Sequence, residues 1–183
     1  MRVTPKKSPN GRALARGLIY FAGYVMNKRD FSIKYLSESF CRTHSTEEFP
    51  ELELKSCRPY VVYLVKIKDN TFAIPFRSNI RHSYCYKFRT STRATDSSTG
   101  LDYTKAVIVN SADDIGDNAH INDREFLELD KMYYHIFKQF EAYVNSYYKF
   151  TKNKLNDIEA KAYRFSTLKY FHKELGINNT ATE

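Results

Sequence analysis

Tryptophan is absent from this 183-residue chain, and glycine (six) and proline (five) are sparse. So few glycines form no loop of the kind whose backbone amides cradle a triphosphate, which counts against nucleoside-triphosphate chemistry. The three cysteines, Cys41, Cys57 and Cys85, are an odd set in no zinc-ligand spacing, and they read as idle thiols in a reducing, cytoplasmic compartment. HExxH, CxxC and DxD runs are missing and the five histidines are scattered, so neither a metal nor a cofactor is expected. No GxSxG elbow surrounds Ser78, which argues against a hydrolase triad. No apolar run approaches the ~20 residues that span a bilayer, and no membrane partner is expected.

What the chain does have is rings and cations: 15 Tyr, 13 Phe and a formal net charge of +8. The length suits one domain of ordinary size. The charge favours a polyanionic partner without identifying one.

Residues 1–30 read as a basic extension and 31–183 as the folded domain. The first 25 residues hold five cations (Arg2, Lys6, Lys7, Arg12, Arg16), no acid, and then a short apolar run at 18–22. A secretory leader has that order of parts, but Arg16 crowds the apolar run and Gly23-Tyr24-Val25 is a poor cleavage site. The other two readings are a loosely attached arm and a product that begins at Met26. The last would remove five charges and take the net from +8 to +3.

From Phe31 to Leu36 the residues alternate as in a strand, and Ser37 to Phe40 reads as a turn entering a short helix. Residues 42–56 read as a loop with one helical turn. Tyr60 to Val65 is an uninterrupted apolar run, a strand covered on both faces. Asp69-Asn70 supplies the positive φ of a tight hairpin, and Phe72, Ile74 and Phe76 return with one face buried. Pro75 belongs at an edge or near a strand end, because it has no N–H for a ladder. Lys105 to Val109 is a further strand, and 111–123 reads as acidic and irregular. Asn122 with Glu125 resembles a capping box. It opens a long helix with a packing face of Phe126, Leu129, Tyr133, Phe137, Phe140 and Val144. A second helical region runs from Leu155 to Leu175-Gly176.

The stretch with chemistry follows the hairpin. Between Arg77 and Arg93 lie five cations (Arg77, Arg81, Lys87, Arg89, Arg93) and no carboxylate, with Tyr84, Tyr86 and Phe88 among them. Cations for phosphates beside rings for bases suit single-stranded nucleic acid. RNA carries its own nucleophile, the 2′-hydroxyl, so an enzyme cleaving it needs a base, an acid and donors around the phosphate. Arg58, Ser78, His82, Arg77 and Arg81 could fill every role. Composition alone leaves open a non-catalytic RNA- or DNA-binding module, and a mobile-element interaction protein whose aromatics fill a core.

The order of these motifs resembles the type III toxin–antitoxin endoribonucleases, the ToxN, AbiQ and TenpN group, and most closely the TenpN-type toxins. The likeness lies in Arg58, the strand Tyr60 to Val65, the hairpin Asp69-Asn70, the run Phe72-Ala73-Ile74-Pro75-Phe76-Arg77-Ser78, and then Gly100-Leu101 with Lys105. It covers about Phe31 to Gly176.

The resemblance implies an α+β fold with a strongly bent, barrel-like antiparallel sheet flanked by helices. It implies a metal-independent cytoplasmic RNase that leaves a cyclic phosphate and a 5′-hydroxyl on target mRNA. Its inhibitor would be a repeated pseudoknot RNA antitoxin in a closed toxin–RNA hetero-oligomer, with a role in phage defence. Ser78 falls on the family's active-site serine. Arg58 falls on a lysine, keeping the charge but not a titrating proton donor. Phe40 falls on a tyrosine and lacks its hydroxyl. His82 is the proposed base or acid by residue chemistry, and Lys105 is a further catalytic candidate. Arg77, Asn79, Arg81, Tyr84, Arg89 and Arg93, with Phe40, are expected to bind RNA.

Overall fold

A computed structural model describes residues 32–52, 60–93 and 98–177, together with the backbone of 18–21 and 24–27. The chain divides into two compact units, Met1–Asp30 and Phe31–Glu183. In the first, β1 (Leu18–Phe21) and β2 (Tyr24–Asn27) pair antiparallel, with Met26 in β2 opposite Ile19. The leader, arm and Met26-start readings turn on the residues before and between these strands, which lie outside the described ones. Arg58 and Cys57 also lie outside them.

The second unit is α+β. β3 (Ile33–Leu36) runs into α1 (Glu38–Thr43), whose N-cap is Ser37: its Oγ accepts the Phe40 N–H at 3.0 Å and donates to the Asp113 carbonyl at 2.5 Å. A serine hydroxyl in this place satisfies an amide the helix leaves unpaired. A short 3-10 turn at Pro50–Leu52 is followed by the hairpin of β4 (Val61–Ile67) and β5 (Asn70–Arg77). The left-handed φ of this hairpin falls on Lys68 (55°), not on Asp69 or Asn70. Asn70 already belongs to β5, opposite Ile67, and its amide donates to the Glu174 carbonyl and accepts from Asn110.

β6 (Cys85–Lys87), β7 (Gly100–Asp102), β8 (Val107–Ile108) and β9 (Ile115–Asn118) complete a seven-stranded antiparallel sheet of order β6-β7-β5-β4-β3-β9, with β8 beside β5. Among the described residues β6 and β9, the ends of that path, do not pair with each other. Pro75 is not on an edge strand, but it does lie near a strand end, two residues before β5 closes at Arg77. β5 pairs with β8 at Phe72–Ala73 and with β7 at Phe76–Arg77, and the proline sits in the seam between them, buried like its neighbours from Phe72 on. Both faces of β5 are therefore covered there. Gly100 opens β7 because β6 passes very close: a Cβ on it would stand 1.9 Å from the Tyr86 carbonyl oxygen.

Lys105 closes a 3-10 turn (Tyr103–Lys105) two residues ahead of β8, so it does not open a strand. The acidic stretch after it contains a 3-10 turn (Ala112–Asp114) and the edge strand β9. α2 (Asp123–Thr151) follows, capped by Asn122, whose side chain accepts the Arg124 N–H. No capping box forms, because the Glu125 side chain turns inward to Ser91 and Arg93. The buried face of α2 is rotated from the expected one. Leu129, Ile136, Phe140, Tyr143, Val144 and Tyr147 are inside, Tyr133 and Phe137 are half-buried, and Phe126 is exposed. Phe140 meets Phe72 edge-on at 5.3 Å, an arrangement that suits ring quadrupoles.

The C-terminal region is not one helix. It consists of α3 (Asp157–Lys161) and a 3-10 turn (Thr167–Phe171), ending at Gly176 with φ 63°. Tyr143 hydrogen-bonds Ser166, Tyr147 bonds His172 and Tyr148 donates to the Leu175 carbonyl, so this tail is strapped along α2. No described helix is long and apolar enough to cross a membrane.

Candidate functional site

β5 leaves the sheet at Arg77, the last residue paired with β7. The chain is pinned again at Ile80, which is buried and whose N–H reaches the Ser98 carbonyl at 3.0 Å. Between these anchors Ser78 and Asn79 stand exposed as a ridge. Asn79 takes a left-handed φ of 62°, a conformation asparagine tolerates better than most residues. Among the described residues nothing hydrogen-bonds the Ser78 hydroxyl.

The ridge separates two clefts. The first, about 430 Å³, gathers Arg77, Ser78, Asn79, Arg81, His82, Tyr84 and Lys105. Seven of the eleven residues singled out in the sequence thus share one hollow. It also contains six residues the sequence did not single out: Ile80, Asp102, Thr104, Lys161, Ala162 and Phe165. The second, about 520 Å³, shares Arg77, Ser78 and Asn79 and adds Tyr60, Phe76, Arg93, His120 and Glu125 among others.

Asp102 organises the first cleft. It ends β7, is 3 % exposed, and its Oδ1 accepts the Thr104 N–H (3.0 Å) and hydroxyl (2.6 Å), capping the 3-10 turn. The same oxygen lies 3.3 Å from His82 Nε2, and Oδ2 lies 3.8 Å from Arg77 Nη1. A buried carboxylate is costly unless it is paired in this way. The imidazole therefore presents Nε2 to Asp102, while Nδ1 is cut off from solvent and has no hydrogen-bond partner. His82 in this pose is held as an oriented group, with Nδ1 enclosed and Nε2 facing Asp102.

Lys105 Nζ donates to the Glu51 carbonyl at 2.7 Å. The Glu51 carboxylate takes Lys169 Nζ at 2.5 Å and the Tyr170 hydroxyl. The Lys169 hydrogen bond is the largest of the influences holding Glu51 below the ordinary carboxylate range. Tyr84 gives the first cleft only an edge, because its ring packs on Tyr143 and Tyr163 at 5.9 and 5.6 Å.

Of the other expected RNA contacts, Phe40 and Arg93 have their side chains engaged elsewhere, and Arg89 is held only by its backbone. Phe40 is 1 % exposed and stacks on His44 at 4.0 Å inside the core, so it has no face for a base. Arg89 lines neither cleft; its backbone N–H, with that of Thr90, is held by Glu128 on α2. Burial raises the Glu128 carboxyl, and these amides with the hydroxyls of Thr90 and Tyr86 outweigh it, leaving it below its ordinary range. Arg93 borders the second cleft, but its Nε is paired at 2.7 Å with Glu125, which is 0 % exposed. The sequence hid this pairing because the partners lie 32 residues apart. Asp102, by contrast, stands within Gly100-Leu101-Asp102, close after the cationic run, but Asp96 is closer still, so position alone did not distinguish it.

No family model matches the chain, and no curated protein or solved structure matches it at a significant level.

Proposed function

We propose that the chain is a metal-independent endoribonuclease, the toxin of a type III toxin–antitoxin system, acting across the Arg77–Ser78–Asn79 ridge. One observation carries this reading. Ser78 shares a cleft with four cations, Arg77, Arg81, Lys105 and Lys161, and with a single carboxylate, Asp102, already engaged by its neighbours. A phosphodiester is the ligand such a cleft suits, since arginine forks and hydroxyls bind its oxygens. The ribose 2′-hydroxyl attacks phosphorus as it loses its proton, the P–O5′ bond breaks, and O5′ takes a proton. The products are a 2′,3′-cyclic phosphate and a 5′-hydroxyl. Ser78 donates to a non-bridging oxygen, and the guanidinium groups offset the charge that builds there. Imidazoles flank the ridge on both sides, His82 in the first cleft and the exposed His120 in the second. An imidazole can both accept and donate a proton, so these are the groups suited to move these protons, His82 after its ring leaves Asp102.

The remaining parts of the proposal rest on the resemblance: a repeated pseudoknot RNA as inhibitor, a closed toxin–RNA assembly, target mRNA in the cytoplasm, a phage-defence role, and the barrel-like bending of the sheet. The second reading is an RNA-binding module without chemistry, and the engaged Nε2 and enclosed Nδ1 of His82 favour it. Incubating the purified protein with RNA and a chelator separates the two. The enzyme shortens the RNA and leaves cyclic phosphate ends, whereas a binder shifts its mobility without shortening it. Short tandem repeats in the DNA just upstream would support the toxin assignment.

A further inference from the structure

Phe165 is the exception among the rings of its neighbourhood. Tyr163, two residues earlier, is buried against Tyr143, Tyr147 and Phe150. The next residue, Ser166, is 0 % exposed and bonded to Tyr143, and Thr167 is fastened to the Ala106 carbonyl at 2.5 Å. Backbone fixed on both sides leaves the phenyl ring between them no place in the core. It stands 69 % exposed on the wall of the first cleft, with Lys161 one turn before it and Arg77, Arg81 and Lys105 as the cleft's other cations.

An apolar ring on a rigid support beside several cations matches the two halves of a nucleotide, a flat base and a charged phosphate. We propose that Phe165 is the stacking platform for an unpaired base next to the phosphate held at Ser78, which makes single-stranded RNA the substrate class. In a duplex both faces of each base are already covered, so the platform selects against paired RNA. The inference rests on the reading of the first cleft as a phosphate site and adds the group that holds the neighbouring base.

The absence of tryptophan makes a direct test possible, since Phe165→Trp introduces the only indole in the chain. The probe is a mixed-sequence 2′-O-methyl oligonucleotide, which cannot be cleaved by its own 2′-oxygen, used single-stranded and as a duplex. Emission from Phe165→Trp is quenched by the single strand, saturating at the midpoint that anisotropy of the labelled strand gives, and the duplex quenches little. Phe165→Ala weakens single-strand binding by about tenfold with an unchanged melting temperature, and Phe165→Tyr restores it. If the wild-type chain holds the strand but the indole stays silent, or if Phe165→Ala binds as tightly as wild type, the platform is wrong and the cleft reading stands. A wild-type chain that holds no strand overturns both. Emission that follows protein concentration and ignores RNA marks Phe165 as a contact between copies of the chain, and it overturns the platform too.

Discussion

Asp102 Oδ1 lies 3.3 Å from His82 Nε2, joining the end of β7 to the loop that follows the ridge. The carboxylate faces Nε2, which favours a proton on that nitrogen and sets the angle of the ring. Asp102→Asn keeps the shape but loses the charge that holds both His82 and Arg77. Ring nitrogen shifts by NMR are expected to change from a single Nε2–H tautomer to a mixture, and RNA cleavage to fall by at least tenfold. Unchanged ring shifts would show that the pair has no orienting role.

Phe40 tests core against surface. Its ring is enclosed by His44 and the surrounding core, so Phe40→Ala leaves a cavity and costs about 3–5 kcal/mol of stability. Thermal or urea unfolding checks this. Affinity for RNA per folded molecule stays unchanged; a selective loss of affinity at full stability would restore Phe40 to the binding surface.

Arg93 and Glu125 form a pair with one partner fully enclosed. Removing the cation alone strands a buried charge, so Arg93→Ala is expected to cost on the order of 3 kcal/mol. Adding Glu125→Leu recovers much of that loss, because the unpaired carboxylate goes with it. A double-mutant cycle by urea denaturation measures the coupling. Additive losses would mean that Arg93 is free to serve RNA.

Burial raises the phenols of Tyr63, Tyr103 and Tyr143 well above the ordinary tyrosine value, in Tyr143 against the opposing pull of its hydrogen bond to Ser166. The unfolded chain sheds these protons near pH 10, before the folded chain does. Their contribution is therefore complete below pH 10 and shrinks as the pH climbs above it. Urea midpoints should fall steeply from pH 10 upward. Absorbance at 295 nm, free of tryptophan, should show a block of tyrosines that ionises only as the fold is lost.

The sequence disclosed the parts of this fold that depend on local patterning. The apolar runs of β4 and β5 announced a covered hairpin, Ser37 and Asn122 announced helix starts, and Gly176 announced a C-terminal stop. It concealed what depends on distant partners. β7 and β9 are short and polar, and they become strands because β5 and β3 offer them free edges. At the start of α2 the inward residue is Glu125, which meets Arg93 and Ser91 across more than thirty residues of sequence, and not Phe126. The cationic cluster was visible as a run of residues, but its division was not: Arg77 and Arg81 line the first cleft, while the Arg89 backbone and the Arg93 side chain are tied to α2.

The central claim is that the ridge at Ser78 braces a phosphodiester while the RNA breaks itself, and the most direct measurement is the single-turnover cleavage rate of Ser78→Ala in the presence of chelator. Ser78 is exposed, so the variant should match wild type in circular dichroism and melting temperature. Loss of one pre-aimed donor should slow cleavage by about 10²-fold. A Ser78→Ala chain that cuts RNA at the wild-type rate would contradict the account.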